Sequence, residues 1–261
     1  MIHLMKPYLF LLLLPLTFSL MSQTTEIKVH CDPVTGLCEI PTFSEETTAP
    51  IEWDTDSEII YIGDPMCSWC WGISPHLNAL QRYGQQERIP FTIMMGGLRP
   101  GGGEEWNTNF KNFLQHHWEE VEQRSGQPFS NQLFELENFD YDTEPACRAT
   151  VTVRQIAPQK VLAFYELVQH HFYVANKDPK QVSFYQPICE QLAIDFEEFS
   201  TKFASAEMKQ ATNRDFQQSR QWGVRGFPTV LFRVKDQLHI IGRGYSEYET
   251  MKERLEKIPT P

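Results

Sequence analysis

The sequence of 261 residues has no low-complexity tract and no internal repeat, which excludes solenoid and propeller architectures. Basic residues are in the minority: 23 Lys and Arg stand against 34 Asp and Glu, and the formal net charge is −11. This balance disfavours nucleic acid and anionic membranes as partners, because both require a positively charged surface. Hydrophobic residues make up 41% of the chain, which is typical of a folded protein with a sizeable core.

The N-terminus lacks an apolar run long enough to cross a bilayer. The run from Tyr8 to Met21 is shorter than the roughly 20 residues that a spanning helix needs. It follows Lys6, the single charged residue among the first 25, and Ser22 after it offers a small residue for cleavage. These features predict a signal peptide over residues 1–22, with an uncleaved N-terminal anchor as the alternative. We therefore expect an exported protein without stable membrane insertion.

A C-terminal retention signal of the Lys-Asp-Glu-Leu type is also lacking. Its absence favours the bacterial periplasm over the endoplasmic reticulum, with plain secretion as the alternative.

Cysteine is scarce, and its six positions are informative in an exported chain. An even number permits three bridges in an oxidising compartment. The chain is too long to need bridges in place of a core, so we expect at least one pair to serve chemistry. The six are Cys31, Cys38, Cys67, Cys70, Cys147 and Cys189.

The apolar pattern predicts a β–α–β unit, a long helical insert and a final β–β–α unit. A buried strand is expected at Ile59–Ile62, a helix over 68–83 kinked at Pro75, and a second strand at 91–95. Residues 23–56 are expected to form a tether. The remaining expected elements are helices over 106–123, 146–156, 160–175, 181–192 and 207–222, strands over 229–234 and 238–241, and a helix over 247–257.

Cys67-Ser-Trp-Cys70 follows the first predicted strand and opens the helix after it. The unpaired N–H groups and positive end of a helix N-terminus stabilise a thiolate, the form of cysteine that attacks disulfides. The spacing places both sulfurs on one face of the first turn. We expect Cys67, at the outer end, to be the nucleophile and Cys70, deeper and less exposed, to resolve the mixed disulfide.

Cys67 and Cys70 are open to two other interpretations, a static disulfide and half of a zinc site. A zinc site needs two further thiol or imidazole ligands, usually from a second Cys-x-x-Cys, and the sequence has none. We therefore expect no metal and no dissociable cofactor.

The sequence resembles the DsbA-like thioredoxin-fold family, and within it the branch of FrnE-type disulfide isomerases. The resemblance implies a thioredoxin-like domain over 57–103 and 223–261 with a helical insertion over 104–222. It also implies disulfide exchange on protein substrates, and a redox partner that resets the active pair. The motifs that carry it are Asp64-Pro-Met-Cys-Ser-Trp-Cys-Trp-Gly72, Gly96-Gly-Leu-Arg-Pro-Gly101, Glu144-Pro-Ala-Cys-Arg-Ala149, Phe172-Tyr-Val174 and Gly223-Val-Arg-Gly-Phe-Pro-Thr229.

The same resemblance implies roles for individual residues. Cys67 would be the nucleophile, and Pro228 would face the active disulfide through a cis peptide bond. From the residues themselves we expect Ser68, Trp69, Phe227 and Pro228 to contact the substrate, with Trp69 and Phe227 providing apolar surface around the disulfide. Ser68-Trp69 stands where the strongly oxidising DsbA type carries Pro-His, so a less oxidising pair is expected.

The other cysteines leave alternatives open. Cys31 and Cys38 match no motif of the family. They are expected to form a structural clip, a disulfide that holds the tether in a loop, and the alternative is a second redox pair that exchanges electrons with Cys67 and Cys70. Cys147 and Cys189 are expected to be buried free thiols, with a bridge between them as the alternative.

Two rival functions also remain. One is a glutathione-dependent transferase or isomerase of the kappa type, a branch that carries serine in place of the first cysteine. The other is a non-catalytic binding module or chaperone, in which Cys67 and Cys70 would form a permanent bridge.

Overall fold

The computed structural model describes residues 29–39 and 55–259. The predicted signal peptide and most of the predicted tether lie outside the described residues. Within the described ranges, no helix has both the length and the apolar character needed to cross a membrane.

The strands and helices follow the predicted order along the chain, with four exceptions. The strands are β1 (His30–Asp32), β2 (Leu37–Glu39), β3 (Ser57–Gly63), β4 (Phe91–Met95), β5 (Gly226–Phe227), β6 (Thr229–Val234) and β7 (Gln237–Arg243). The helices are α1 (Ser68–Gly72), α2 (Ser74–Glu87), α3 (Thr108–Ser125), α4 (Glu144–Ile156), α5 (Val161–Tyr173), α6 (Gln186–Gln191), α7 (Phe196–Ala204), α8 (Ala206–Gln221) and α9 (Tyr248–Glu256). Short 3-10 turns lie at Asn131–Glu135, Pro158–Lys160 and Val182–Tyr185. The exceptions, which were not predicted, are β1, β2, β5 and α7.

The main sheet is mixed and has the strand order β4-β3-β6-β7. β3 runs parallel to β4, with Ile59 opposite Phe91, and antiparallel to β6, with Ile60 opposite Leu231. Ile59 to Ile62 are almost completely buried, as expected of a central strand covered on both faces. The predicted α/β fold, a mixed sheet with a large helical insertion, is confirmed.

A charged pair ties two helices of the insertion to the edge strand β4. The guanidinium of Arg154 on α4 donates to both carboxylate oxygens of Asp215 on α8, at 2.7 and 2.8 Å. Arg154 also donates to the carbonyl of Ile93, and Asp215 accepts from the backbone N–H of Met95. This bidentate pair is partly shielded from water and fixes the insertion against the sheet.

The helix predicted over 68–83 is two helices in the structure. α1 ends at Gly72, and α2 begins at Ser74 with Pro75 in its first turn, where a proline costs no helical hydrogen bond. The proline therefore starts a new helix rather than kinking one.

The sequence analysis missed α7. Asp195 caps this helix by accepting from the N–H of Glu198 at 2.8 Å, and Phe199 and Phe203 are buried. An Asp cap followed by phenylalanines at helical spacing was the signal that could have revealed it.

The described part of the tether is a β-hairpin, which the sequence analysis did not predict. β1 pairs antiparallel with β2, and β2 pairs antiparallel with β5, so the three form a second, small sheet. β1 and β2 have three residues each, which is too few to show an alternating pattern. The hairpin is stabilised by its pairing with distant residues.

Candidate active site

Cys67 and Cys70 lie where β3 gives way to α1. Cys67 is the N-cap residue, with an extended backbone, and its carbonyl accepts from the N–H of Trp71 at 3.1 Å. The turn before it is held by Asp64, whose carbonyl accepts from the N–H of Cys67 and whose carboxylate accepts from the N–H of Met66. The turn therefore fixes Cys67 at the start of the helix, with Cys70 in its first turn.

The expected difference in exposure between the two thiols is not found. Cys67 and Cys70 are both 0% exposed, and both are free thiols. Burial raises the pKa of the Cys67 thiol well above its usual value, and the neighbouring Cys70 raises it further. α1 has only five residues, so its N-terminal field is weaker than that of the long helix the sequence predicted. In this arrangement Cys67 is held as a protonated thiol.

The loop before β6 faces Cys67. The Phe227–Pro228 peptide bond is cis, as the family resemblance implied, and the Cys67 thiol lies 3.9 Å from the carbonyl oxygen of Phe227. The Thr229 hydroxyl donates to the carbonyl of Gly226 and closes this loop. The site thus brings together two segments that are far apart in the sequence.

The four residues expected to contact substrate surround the two thiols, but all are buried. Ser68 is 7% exposed, Trp69 is 1% exposed and Phe227 is 0% exposed. The indole of Trp69 lies 6.0 Å from the ring of Tyr245, and its Nε1 has no hydrogen-bond partner within the described ranges. Pro228 is buried with them. No apolar surface for a substrate is therefore open at these four residues in this arrangement.

Three further buried groups beside the thiols were missed by the sequence analysis. The carboxylate of Asp64 accepts from the N–H of Leu98 at 2.7 Å and from the thiol of Cys147 at 3.2 Å. Burial raises the pKa of Asp64. Tyr61 and Tyr165 join their hydroxyls at 3.1 Å, and burial raises the pKa of both. An aspartate directly after an apolar strand was the one sequence signal for this cluster.

The remaining cysteines divide into one bridge and two thiols. Cys31 and Cys38 form a disulfide across β1 and β2. Cys147 and Cys189 are buried free thiols, as expected. The alternative, a disulfide between them, is not formed. In the part of the chain that the structure describes, no cluster of three His, Cys, Asp or Glu is placed to hold a metal ion.

Three comparisons relate the chain to known proteins. The thioredoxin family model matches residues 60–253, so the hairpin lies outside the match. A protein from Nitrosomonas europaea, provisionally assigned as a protein disulfide isomerase, is 34% identical, with a TM-score of 0.71 over 77% of this chain and 97% of that one. The cytosolic disulfide reductase DsbM from Pseudomonas aeruginosa is 19% identical, with a TM-score of 0.64 over 76% of this chain and 97% of that one.

A curated relative gives a weaker match. The ClpXP adapter protein SpxH from Bacillus subtilis (strain 168) is 22% identical over 179 residues, or 67% of this chain. The chain spans 58% of the length of that relative.

Proposed function

The chain belongs to the thioredoxin family, and from this premise we propose that it is an exported protein thiol–disulfide oxidoreductase or isomerase that acts through Cys67 and Cys70. By family and fold it is a DsbA-like disulfide oxidoreductase. One observation carries the assignment of the site. The thiol at the start of α1 faces the carbonyl of Phe227, next to the cis bond to Pro228.

The proposed reaction is thiol–disulfide exchange. The thiolate of Cys67 attacks one sulfur of a substrate disulfide, forms a mixed disulfide and releases the other substrate sulfur as a thiol. Cys70 then attacks the sulfur of Cys67 and releases the second substrate thiol, and the enzyme keeps a Cys67–Cys70 disulfide. In the opposite direction a substrate thiol attacks that disulfide, and two electrons pass to the enzyme.

Substrates are proposed to bind as an extended segment beside β5. The backbone of Gly226 and Phe227 already pairs with a strand, β2 of the hairpin. Trp69 and Phe227 would then provide apolar contact, and Ser68 and Pro228 would border the reacting sulfurs. Because the hairpin occupies this position, substrate binding requires the hairpin to move.

The intervening residues support an isomerase of the FrnE type over a strong oxidant. Ser68 and Trp69 carry no imidazole or other basic group that would stabilise the Cys67 thiolate. A smaller stabilisation of the thiolate makes the disulfide less oxidising, and about 30 mV corresponds to 1.4 kcal/mol.

Export to a bacterial periplasm is proposed from the N-terminal sequence, and a separate redox protein is proposed to reset the pair. Localisation is tested by fractionating cells that express the full chain with a C-terminal tag. Recovery of a shortened chain in the periplasmic fraction supports export, and recovery of the full-length chain in the cytosol contradicts it.

Catalysis is tested by reactivation of a substrate protein with scrambled disulfides, in a glutathione buffer. The Cys31→Ser/Cys38→Ser variant isolates the Cys67 and Cys70 pair, and Cys67→Ala in that background is the matched control. Reactivation that depends on Cys67 supports the proposal. A protein that suppresses aggregation equally well with and without Cys67, and reactivates nothing, is the binding module or chaperone instead.

A further inference from the structure

The N-terminal hairpin lies where the proposed function puts an extended substrate. Cys38 on β2 is the residue directly opposite Phe227 on β5, and Glu39 is opposite Gly226. The carbonyl of Phe227 is the group that faces the Cys67 thiol. The Cys31–Cys38 disulfide is therefore already held beside β5, the strand whose Phe227 faces the Cys67 thiol.

The turn of the hairpin is fitted closely to the motif. The backbone N–H of Tyr245 lies 3.0 Å from the carbonyl oxygen of Thr35 and 3.1 Å from that of Gly36. Gly36 has a φ of +64°, and a Cβ atom there would lie 2.9 Å from the indole of Trp69. Only glycine allows the turn to approach Trp69 so closely.

The disulfide faces the site rather than solvent. Cys38 is 1% exposed and Cys31 is 8% exposed. Both line a small cavity together with Ser68 of the active-site motif and His117 of α3. A clip that merely closed a surface loop would not need to be buried beside Ser68 of the active-site motif.

The position of the hairpin favours its own disulfide over one in solution. The Cys67 thiol is 0% exposed, so a protein disulfide in solution has no access to it in this arrangement. Cys38 is held one paired strand away from it, through Phe227. Cys31 lies on β1, one strand further from Phe227.

We propose that the Cys31–Cys38 disulfide is an internal substrate of Cys67 and Cys70, a second redox pair that exchanges two electrons with the first within one chain. This inference deepens the proposed function and rests on it. The chain then carries an internal redox partner in addition to the separate protein that resets the pair, and this internal partner is held on the strand edge that external substrates would use.

The exchange balances without a further reactant. The Cys67 thiolate attacks the sulfur of Cys38, the Cys31–Cys38 bond breaks, and Cys31 leaves as a thiolate. Cys70 attacks the sulfur of Cys67, the Cys38–Cys67 bond breaks, and Cys38 leaves as a thiolate. The first pair is oxidised and the hairpin pair reduced by two electrons, and two protons pass from the first pair to the second.

The imidazole of His117 is placed to transfer these protons. His117 is 7% exposed and lines the cavity with Cys31 and Cys38. Its Nδ1 is paired with Glu120 at 2.9 Å, whereas its Nε2 has no hydrogen-bond partner in the described segments. This ring nitrogen is available to accept a proton from a thiol or to return one to a leaving thiolate.

The experiment traps the mixed disulfide. Cys31→Ser/Cys70→Ser leaves Cys38 and Cys67, and the matched variant Cys38→Ser/Cys70→Ser leaves Cys31 and Cys67. Each is oxidised with glutathione disulfide, blocked with N-ethylmaleimide in denaturant, digested without reductant and mapped by mass spectrometry. We expect the Cys38–Cys67 link as the major product of the first variant, and a severalfold lower yield of the Cys31–Cys67 link in the second.

The thiols of Cys147 and Cys189 remain in both variants and are expected to form no link with Cys67. The Cys70→Ser variant with an intact hairpin gives a second measurement. There the Cys38–Cys67 link forms only by expelling Cys31, so alkylated Cys31 is expected to rise in step with the link.

Two results overturn the inference in distinguishable ways. If Cys67 takes up glutathione while no Cys38–Cys67 link forms in Cys31→Ser/Cys70→Ser or in Cys70→Ser, the hairpin is a clip and the proposed function stands. If Cys67 neither forms a link nor takes up glutathione, even in Cys31→Ser/Cys38→Ser, the proposed function fails and this inference fails with it.

Discussion

The thiol of Cys67 lies 3.9 Å from the backbone carbonyl oxygen of Phe227. The contact joins the start of α1 to the cis-proline loop, two segments that are distant in the sequence. A carbonyl that faces a thiol accepts a weak hydrogen bond from its S–H group but offers nothing to stabilise a thiolate. The same carbonyl belongs to the residue that pairs with Cys38 of the hairpin. The reactive sulfur, the loop and the hairpin therefore form one unit.

Removal of either active-site thiol should give a different defect. Cys67→Ala is expected to abolish exchange with a protein disulfide, because the attacking sulfur is lost. Cys70→Ala is expected to accumulate a mixed disulfide at Cys67, because no second thiol resolves it. Non-reducing gels and mass mapping of the adducts measure both.

Cys189→Ala serves as the control for losing a buried thiol outside the site. Equal accumulation of adducts in Cys67→Ala and Cys70→Ala would show that neither residue has the assigned role.

The alkylation of Cys67 should depend steeply on pH. Burial raises the pKa of this thiol above the ordinary value of 9.0, so little thiolate is present at neutral pH. The rate of reaction with iodoacetamide should therefore rise with pH and reach its midpoint above that ordinary value. In Cys31→Ser/Cys38→Ser, where the hairpin is held less tightly, the midpoint should move to lower pH. Peptide mapping separates Cys67 from the other thiols, and a midpoint below neutrality with the hairpin disulfide intact would contradict the buried arrangement.

Gly36→Ala should loosen the hairpin. The new Cβ would lie 2.5 Å from the Cβ of Tyr245, and its φ of +64° is unfavourable for alanine, so we expect a loss of about 1–3 kcal/mol in local stability. Alkylation of Cys67 should become faster. The matched control is Gly126→Ala, which has a φ of +74° and nothing within 4 Å of the added atom. If both variants changed the alkylation rate of Cys67 equally, the result would contradict the expectation that contact between the hairpin and Trp69 limits access to the Cys67 thiol.

Asp215→Ala should weaken the whole fold without touching the site. It leaves the guanidinium of Arg154 with the carbonyl of Ile93 but no carboxylate, and the N–H of Met95 loses its acceptor. The pair is partly exposed, so we expect a cost of about 1–3 kcal/mol for each group left unsatisfied. Denaturant unfolding gives the free energy of unfolding. Glu207→Ala removes the partner of Lys202 in an exposed pair at 3.6 Å and is expected to change that free energy little. Equal effects of the two variants would argue against the anchoring role of Arg154.

Much of the fold could be predicted because the apolar pattern is local. β3 is a continuous apolar run, and the Cys67 motif follows it directly. One stretch of sequence was therefore enough to predict the strand, the start of the helix and the reactive pair. The cis-proline loop came from the family resemblance. The break between α1 and α2 was misjudged because Pro75 is equally compatible with a kink and with a helix start.

The rest depends on contacts between distant residues. The hairpin has strands of three residues and is stabilised by pairing with β5, which no local pattern reveals. Both Cys67 and Cys70 are 0% exposed, so the expectation that Cys70 is the less exposed of the two was wrong. The hydrogen bond from Cys147 to Asp64 joins α4 to the turn after β3, and it too exists only in the folded chain.

The redox equilibrium of Cys67 and Cys70 with glutathione, measured in Cys31→Ser/Cys38→Ser, tests the proposed activity most directly. We expect reversible reduction with a potential of about −180 to −230 mV, the range of shuffling enzymes, and not the roughly −120 mV of DsbA. A pair that stays oxidised across this window, or that exchanges with no protein disulfide, would contradict the proposed enzymatic activity. The protein would then be a non-catalytic binding module.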